Sequence, residues 1–168
     1  MRLAACCLLS VVFLTGLALR TASAEDKMVV ADKATSKFVN FPGLPTCLMG
    51  SVQNGDPSKE ASVILAKAPA GCTVPWHWHS ASEQLMMVSG SAKVAMKDGQ
   101  PASVHSGDYL ALPGNNVHQF TCVAACTFFI APSGAFDIHY VDKEGKEISP
   151  EEALKSKMKA PMKKGMKM

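Results

Sequence analysis

The chain has 168 residues, with 17 Lys and Arg against 14 Asp and Glu, and 48% of its residues are hydrophobic. That length supports one compact domain and leaves little room for a second. Residues 25–154 hold nine Lys against 14 acids and six more Lys follow from Lys155, so the foldable part lacks the basic clustering of a nucleic-acid surface.

The N-terminus reads as an export signal. Met1-Arg2 is basic, Leu3 to Leu19 is almost wholly apolar, Ala22-Ser23-Ala24 is small-x-small, and Glu25-Asp26-Lys27 is polar. That order is the plan of a secretory signal peptide cut after Ala24, and it places the mature chain in the periplasm or outside the cell. A retained anchor is the alternative, but the apolar run is somewhat short of the roughly 20 residues of a spanning helix. No stable membrane insertion is expected after cleavage. Leu3-Ala4-Ala5-Cys6 precedes the apolar run and is not read as a lipid-attachment signal.

Residues 25–45 form a polar lead-in without a clear period, and the organised domain is expected over 46–142. There, short apolar segments alternate with Gly, Pro, Asn and Asp punctuation, the pattern of an all-β protein. Strands are predicted at Leu48–Val52, Ser62–Lys67, Val74–His79, Glu83–Ser89, Ser91–Met96, Ala102–His105, Tyr109–Leu112, His118–Cys122, Thr127–Ala131 and Asp137–Val141. So many short strands with no long helix between them point to a sandwich or small barrel. Residues 143–168 then carry a short helix opening at Pro150 with Ser149 as its cap, and a Lys- and Met-rich tail expected to be disordered.

Past the leader four cysteines remain: Cys47, Cys72, Cys122 and Cys126. An even number in an exported chain suggests disulfides, with three pairings to choose from. Cys122 and Cys126 are placed to pair on facing strands across a tight turn, with Cys47 and Cys72 as the remaining couple. Thiol redox chemistry is the minor alternative, because the spacing is not that of a two-residue redox motif.

Two stretches carry the chemistry. In the first, Gly71 to Gly90, His77 and His79 are two apart and share one face of a strand, and Glu83 follows after Ser80-Ala81-Ser82. Two imidazoles and a carboxylate brought to one point suit a borderline divalent ion. The second stretch, Gly107 to Cys122, adds His118 after a Pro113-Gly114 turn. Trp76 and Trp78 must face away from the histidines, packing between sheets or at an interface, with stacking on a substrate as the lesser reading. Leu85, Met87, Phe120 and Phe129 have the alternation of barrel-lining residues. Tyr109 is read as a pocket hydroxyl or a structural tyrosine, and His105 as a surface histidine. His139 ends a late strand, at the surface or at the barrel mouth.

The first stretch resembles the first motif of the cupin superfamily: Gly71, five residues, His77-x-His79, three residues, Glu83, six residues, Gly90. The second resembles the second motif: Gly107, five residues, Pro113, then His118. It departs from that motif at Asn115, where a glycine is expected, and at Cys122, where an asparagine is expected. Asn tolerates a left-handed backbone, so the turn is expected to survive. The likeness extends from about Gly50 to Asp142, as in small exported bacterial cupins, and implies a small jelly-roll barrel.

It further implies that His77, His79, Glu83 and His118 bind one divalent metal ion (iron, manganese, nickel, zinc or cobalt), that the barrel takes a small-molecule ligand or substrate, and that the chain forms a homodimer. The leading expectation is a metal-dependent enzyme, an oxygenase or isomerase, acting on a small oxygen-bearing organic molecule, though no separate general base stands out. A non-catalytic binding module for a metal-chelating ligand is the alternative. A third reading, copper buffering, would add Met158, Met162 and Met166 of the tail as soft ligands.

Overall fold

The computed structural model describes residues 28–155. The expected signal segment and the Lys/Met tail beyond Lys155 lie outside the described residues. Among the described residues no helix is long and apolar enough to cross a membrane.

The strands, in chain order, are β1 (Met49–Asn54), β2 (Val63–Ala68), β3 (Thr73–Trp78), β4 (Glu83–Ser89), β5 (Ser91–Met96), β6 (Ala102–His105), β7 (Tyr109–Leu112), β8 (His118–Cys122), β9 (Cys126–Pro132), β10 (His139–Val141) and β11 (Glu147–Ile148), followed by helix α1 (Pro150–Lys155). The strands from β4 to β8 have the bounds expected from sequence, and the other predicted strands start within two residues of theirs. Only β11 was not anticipated. It has two residues and exists through pairing with β10 across a turn closed by Gly145 N–H to the Asp142 carbonyl.

Two antiparallel sheets, ordered β1-β2-β9-β4-β7 and β11-β10-β3-β8-β5-β6, face one another as a jelly-roll sandwich. Burial alternates along β8 and β9 with the two-residue period of a strand that has one face covered. The inward residues, among them Ile64, Val74, Leu85, Phe120 and Phe128, form one cluster between the sheets.

A bulge in β3 breaks this alternation and matters for the site. Val74 lies opposite Phe120 and His77 opposite His118, so three steps on β3 match two on β8. The extra residue lies at Pro75-Trp76, where a proline without an N–H does least harm to a ladder. It allows Val74 and His77, of opposite parity, both to face inward.

Both cysteine pairs lie at disulfide distance, with Cα separations of 5.8 Å for Cys47–Cys72 and 6.0 Å for Cys122–Cys126. Cys122 ends β8 and Cys126 opens β9, and the two strands belong to different sheets. Their link crosses from sheet to sheet at the end of the sandwich. The Cys47–Cys72 link ties the approach to β1 to the start of β3.

The lead-in packs onto this frame. Phe41 and Leu44 lie against the core, Val39 bridges to Gly50, and the buried Tyr140 hydroxyl donates to the Gly43 carbonyl at 2.8 Å. At the other end, the Glu152 N–H donates to the Ser149 hydroxyl at 3.2 Å, the N-cap expected of Ser149.

Candidate metal centre

His77 on β3 sits directly across from His118 on β8, with Tyr140 of β10 on its other flank. His79 follows one residue past β3, and the Ser80-Ala81-Ser82 turn carries the chain to the other sheet, where Glu83 opens β4 beside Leu112 and Pro132. The centre therefore spans the two sheets, with the paired histidines on one and the carboxylate on the other. All four side chains are buried. The turn after β7 packs tightly here: a Cβ on Gly114 would lie 2.6 Å from the Ser80 carbonyl oxygen. Asn115 takes a left-handed φ of 60° and donates its N–H to the His79 carbonyl at 2.7 Å. The departure from the family motif at Asn115 thus keeps its turn.

The ring orientations are set from behind. His77 Nδ1 bonds the Pro75 carbonyl at 2.6 Å, His118 Nδ1 the Asn116 carbonyl at 2.9 Å, and His79 Nδ1 the Asp137 carbonyl. A carbonyl only accepts, so each Nδ1 carries a proton and each Nε2 presents a lone pair whenever the ring is neutral. The donor atoms of the three histidines lie within 4.8 Å of one another. Glu83 Oε2 stands 3.8 Å from His79 Nε2 and 4.0 Å from His118 Nε2, beyond hydrogen-bond reach of either. Three histidines this close can bind a metal ion. Three imidazole nitrogens beside a carboxylate form a donor set that suits a borderline divalent cation.

Burial pushes the His77 imidazole well below its usual range, and the neighbouring His118 and His79 add to the effect. Burial likewise lowers His118 to about 4. The Glu83 carboxyl is raised by burial, with His79 partly opposing the change. Burial thus disfavours the charged forms of His77, His118 and Glu83, and a cation among them would take neutral imidazoles as ligands and compensate the ionised carboxylate.

The metal-free protein is accordingly expected to lose stability in mild acid. His118 binds a proton near pH 6.5 when unfolded but only near pH 4 when folded. Its contribution is complete above pH 6.5 and is lost as the pH falls toward 4, by about 3 kcal/mol for this group. Glu83 acts with the opposite sign, its folded form keeping a proton the unfolded chain would release. Urea midpoints at pH 7, 5.5 and 4.5 measure the balance. A midpoint that holds steady or rises across this window would refute the dominance of the histidines.

Behind His79, Asp137 has a role that the sequence did not disclose. Its carbonyl takes the His79 Nδ1–H, and its carboxylate accepts the Ser80 N–H at 2.8 Å and faces His139 Nε2 at 3.4 Å. Burial works to raise the Asp137 carboxyl, but the Ser80 and His139 contacts outweigh it and the group stays below its usual range. His139 also bonds Glu147 at 2.9 Å and stacks on Trp78 with ring centroids 3.9 Å apart. It lies behind the centre, on the outward side that Trp78 occupies. The only cue in the sequence was Asp137 two residues before His139.

The cavity in front of the centre has a volume of about 40 Å³ and is lined by the three histidines, Glu83 and apolar side chains. Leu85 and Phe120 line it as expected. Three other expected lining residues do not. Met87 is buried in the core beyond the cavity. Phe129 faces the opposite side, because Cys126 points inward and sets the parity of β9, which puts Phe128 and Ile130 in the wall. Tyr109 is 59% exposed on the edge strand β7, whose inward positions are Leu110 and Leu112. His105 is exposed, near Asp108, as expected of a surface histidine. Val74 and Leu112 also line it, and Leu44, Leu48, Phe136 and Ile138 complete the wall.

Residues 64–131 match the Cupin domain family. Among solved structures, the polyketide cyclase RemF from Streptomyces resistomycificus superposes with a TM-score of 0.62 at 18% identity, over 80% of this chain and 95% of that one. An RmlC-like cupin from Ralstonia eutropha gives 0.57 at 19% identity, over 76% and 82%. Oxalate decarboxylase from Bacillus subtilis gives 0.52 at 16% identity, over 70% of this chain and 32% of that one. Identities this low establish the fold and nothing finer. No curated protein matches the sequence.

Proposed function

We propose that this chain, a single-domain protein of the cupin superfamily, holds one divalent metal ion through His77, His79, Glu83 and His118 and acts with it on a small oxygen-bearing organic molecule as an oxygenase or isomerase. The observation that carries this reading is the common direction of three Nε2 lone pairs, each left free because its Nδ1–H is committed to a backbone carbonyl. A bound divalent ion supplies Lewis acidity and, if redox-active, electrons. The protein's own share is to hold three rings in one tautomer, to keep Glu83 beside them and to exclude water with an apolar wall. A polyketide cyclase and a decarboxylase on this fold support an enzymatic role by analogy.

A specific observation favours a second reading. Apart from the four metal-site residues, the cavity wall is apolar and offers no further proton donor or acceptor, which suits a binding module that captures a chelating ligand unchanged. Protein reconstituted with iron or manganese decides between them when assayed for oxygen uptake and product formation with small hydroxy acids, keto acids and diketones. Turnover that disappears in His77→Ala supports the enzyme. Saturable binding with the ligand recovered intact supports the module instead.

Export to an oxidising compartment belongs to the same reading and is supported by both cysteine pairs. So does a homodimer. On the outer face of the five-stranded sheet, Phe129, Met86 and Tyr109 stand in register as an apolar row across three strands, beside Leu65, which this chain itself already buries. A second copy covering this row leaves Tyr109→Asp monomeric in sedimentation where the parent chain is dimeric. A Tyr109→Asp chain that still dimerises would remove this face from consideration.

A further inference from the structure

Every residue lining the cavity other than the three histidines and Glu83 is Leu, Val, Ile or Phe. Such a wall constrains the ligand by charge. Ligation to a divalent ion requires each imidazole neutral and Glu83 as the carboxylate, so the loaded centre would sum to a single positive charge. A ligand with one negative charge makes the buried assembly neutral. A ligand with two leaves a net negative charge facing side chains that have neither a cation nor an N–H or O–H to offer, and such a charge is costly in an apolar site.

Size constrains it too. The cavity volume is only about 40 Å³, which suits two donor oxygens on a short carbon frame, with Phe136 and Ile138 among the side chains that bound it. Phe136 is half-buried with its ring 5.0 Å from that of His79, so it borders the centre directly.

We infer that the centre selects small, singly charged oxygen chelators with an apolar remainder, of the α-hydroxy acid kind, and disfavours dianionic chelators of the same size. This rests on the metal-binding reading above and narrows its substrate class.

The test uses the full chain loaded with cobalt(II), whose visible spectrum reports changes in coordination without any turnover. Glycolate and lactate, each singly charged, and oxalate, doubly charged, are titrated at pH 7, and all three chelate through two oxygens. Lactate is expected to bind at least as well as glycolate, because its methyl meets the apolar wall, and both at least about tenfold more tightly than oxalate. Phe136→Arg, which brings a cation to the wall at a half-buried position, is expected to shift the preference toward oxalate by about tenfold or more.

Oxalate binding as tightly as lactate to the parent protein would overturn the inference while leaving the metal site intact. Cobalt that does not bind, or that gives the same spectrum in His77→Ala, would instead refute the metal-binding reading and remove the basis for the inference.

Discussion

Adding a divalent metal ion raises the melting temperature of the metal-free protein by roughly 10 °C or more, and His77→Ala abolishes that rise. The expectation follows from the state of the empty cluster. Burial holds His77 and His118 neutral and raises Glu83, so the folded chain carries a cost there that the unfolded chain does not. An ion that binds only the folded state stabilises it by mass action, by about 4 kcal/mol at a thousandfold excess over its dissociation constant. For a domain of this size each kcal/mol is worth a few degrees. His77 is the sensitive position because it lies beside His118 in the ladder, with ring centroids 4.2 Å apart. Calorimetry with and without zinc or manganese, alongside metal analysis, reads the result. A parent protein that melts at the same temperature in both conditions, or a His77→Ala variant that gains as much as the parent, would refute a metal centre at these residues.

Gly90→Ala is expected to cost at least about 3 kcal/mol, and Gly71→Ala only about 1 to 2. Both glycines belong to the first motif, and both take a left-handed backbone, with φ of 81° at Gly71 and 83° at Gly90. Their surroundings differ. A Cβ on Gly71 meets nothing within 4 Å, so only backbone strain is added. On Gly90 it would overlap the Ala125 carbonyl oxygen and lie 2.9 Å from Cys126 Cα. Those are backbone atoms at the start of β9, and the link from Cys126 to Cys122 keeps them from stepping aside. Urea unfolding of the two variants separates the contributions. Equal losses would mean that the close approach of β9 contributes nothing.

The contrast between these glycines shows where sequence reasoning stops. Their positions in the motif were legible. The carbonyl of Ala125 pressing on Gly90 was not, because that contact spans 35 positions and comes from how two sheets close on each other. Phe129 and Tyr109 teach the same lesson. Each lies in a strand that was recognised, but a strand's two faces look alike until something sets its parity, and one position of error turns a wall residue outward.

What this sequence determined by itself is local and periodic. Alternating apolar residues between turn clusters defined β4 to β8 to the residue, and Ser149 before Pro150 placed the helix. The spacing of His77, His79, Glu83 and His118 marked the residues that the fold gathers, because two residues apart on a strand already means one face. The tertiary structure decided what depends on distant segments meeting: the bulge that turns Val74 and His77 inward together, the lead-in that brings Leu44 to the cavity, and the sheet-to-sheet link of Cys122 and Cys126. It also decided the tautomers of the centre. The carbonyl that orients His79 belongs to Asp137, 58 residues away, and a hydrogen bond between residues so far apart has no period for a sequence to display.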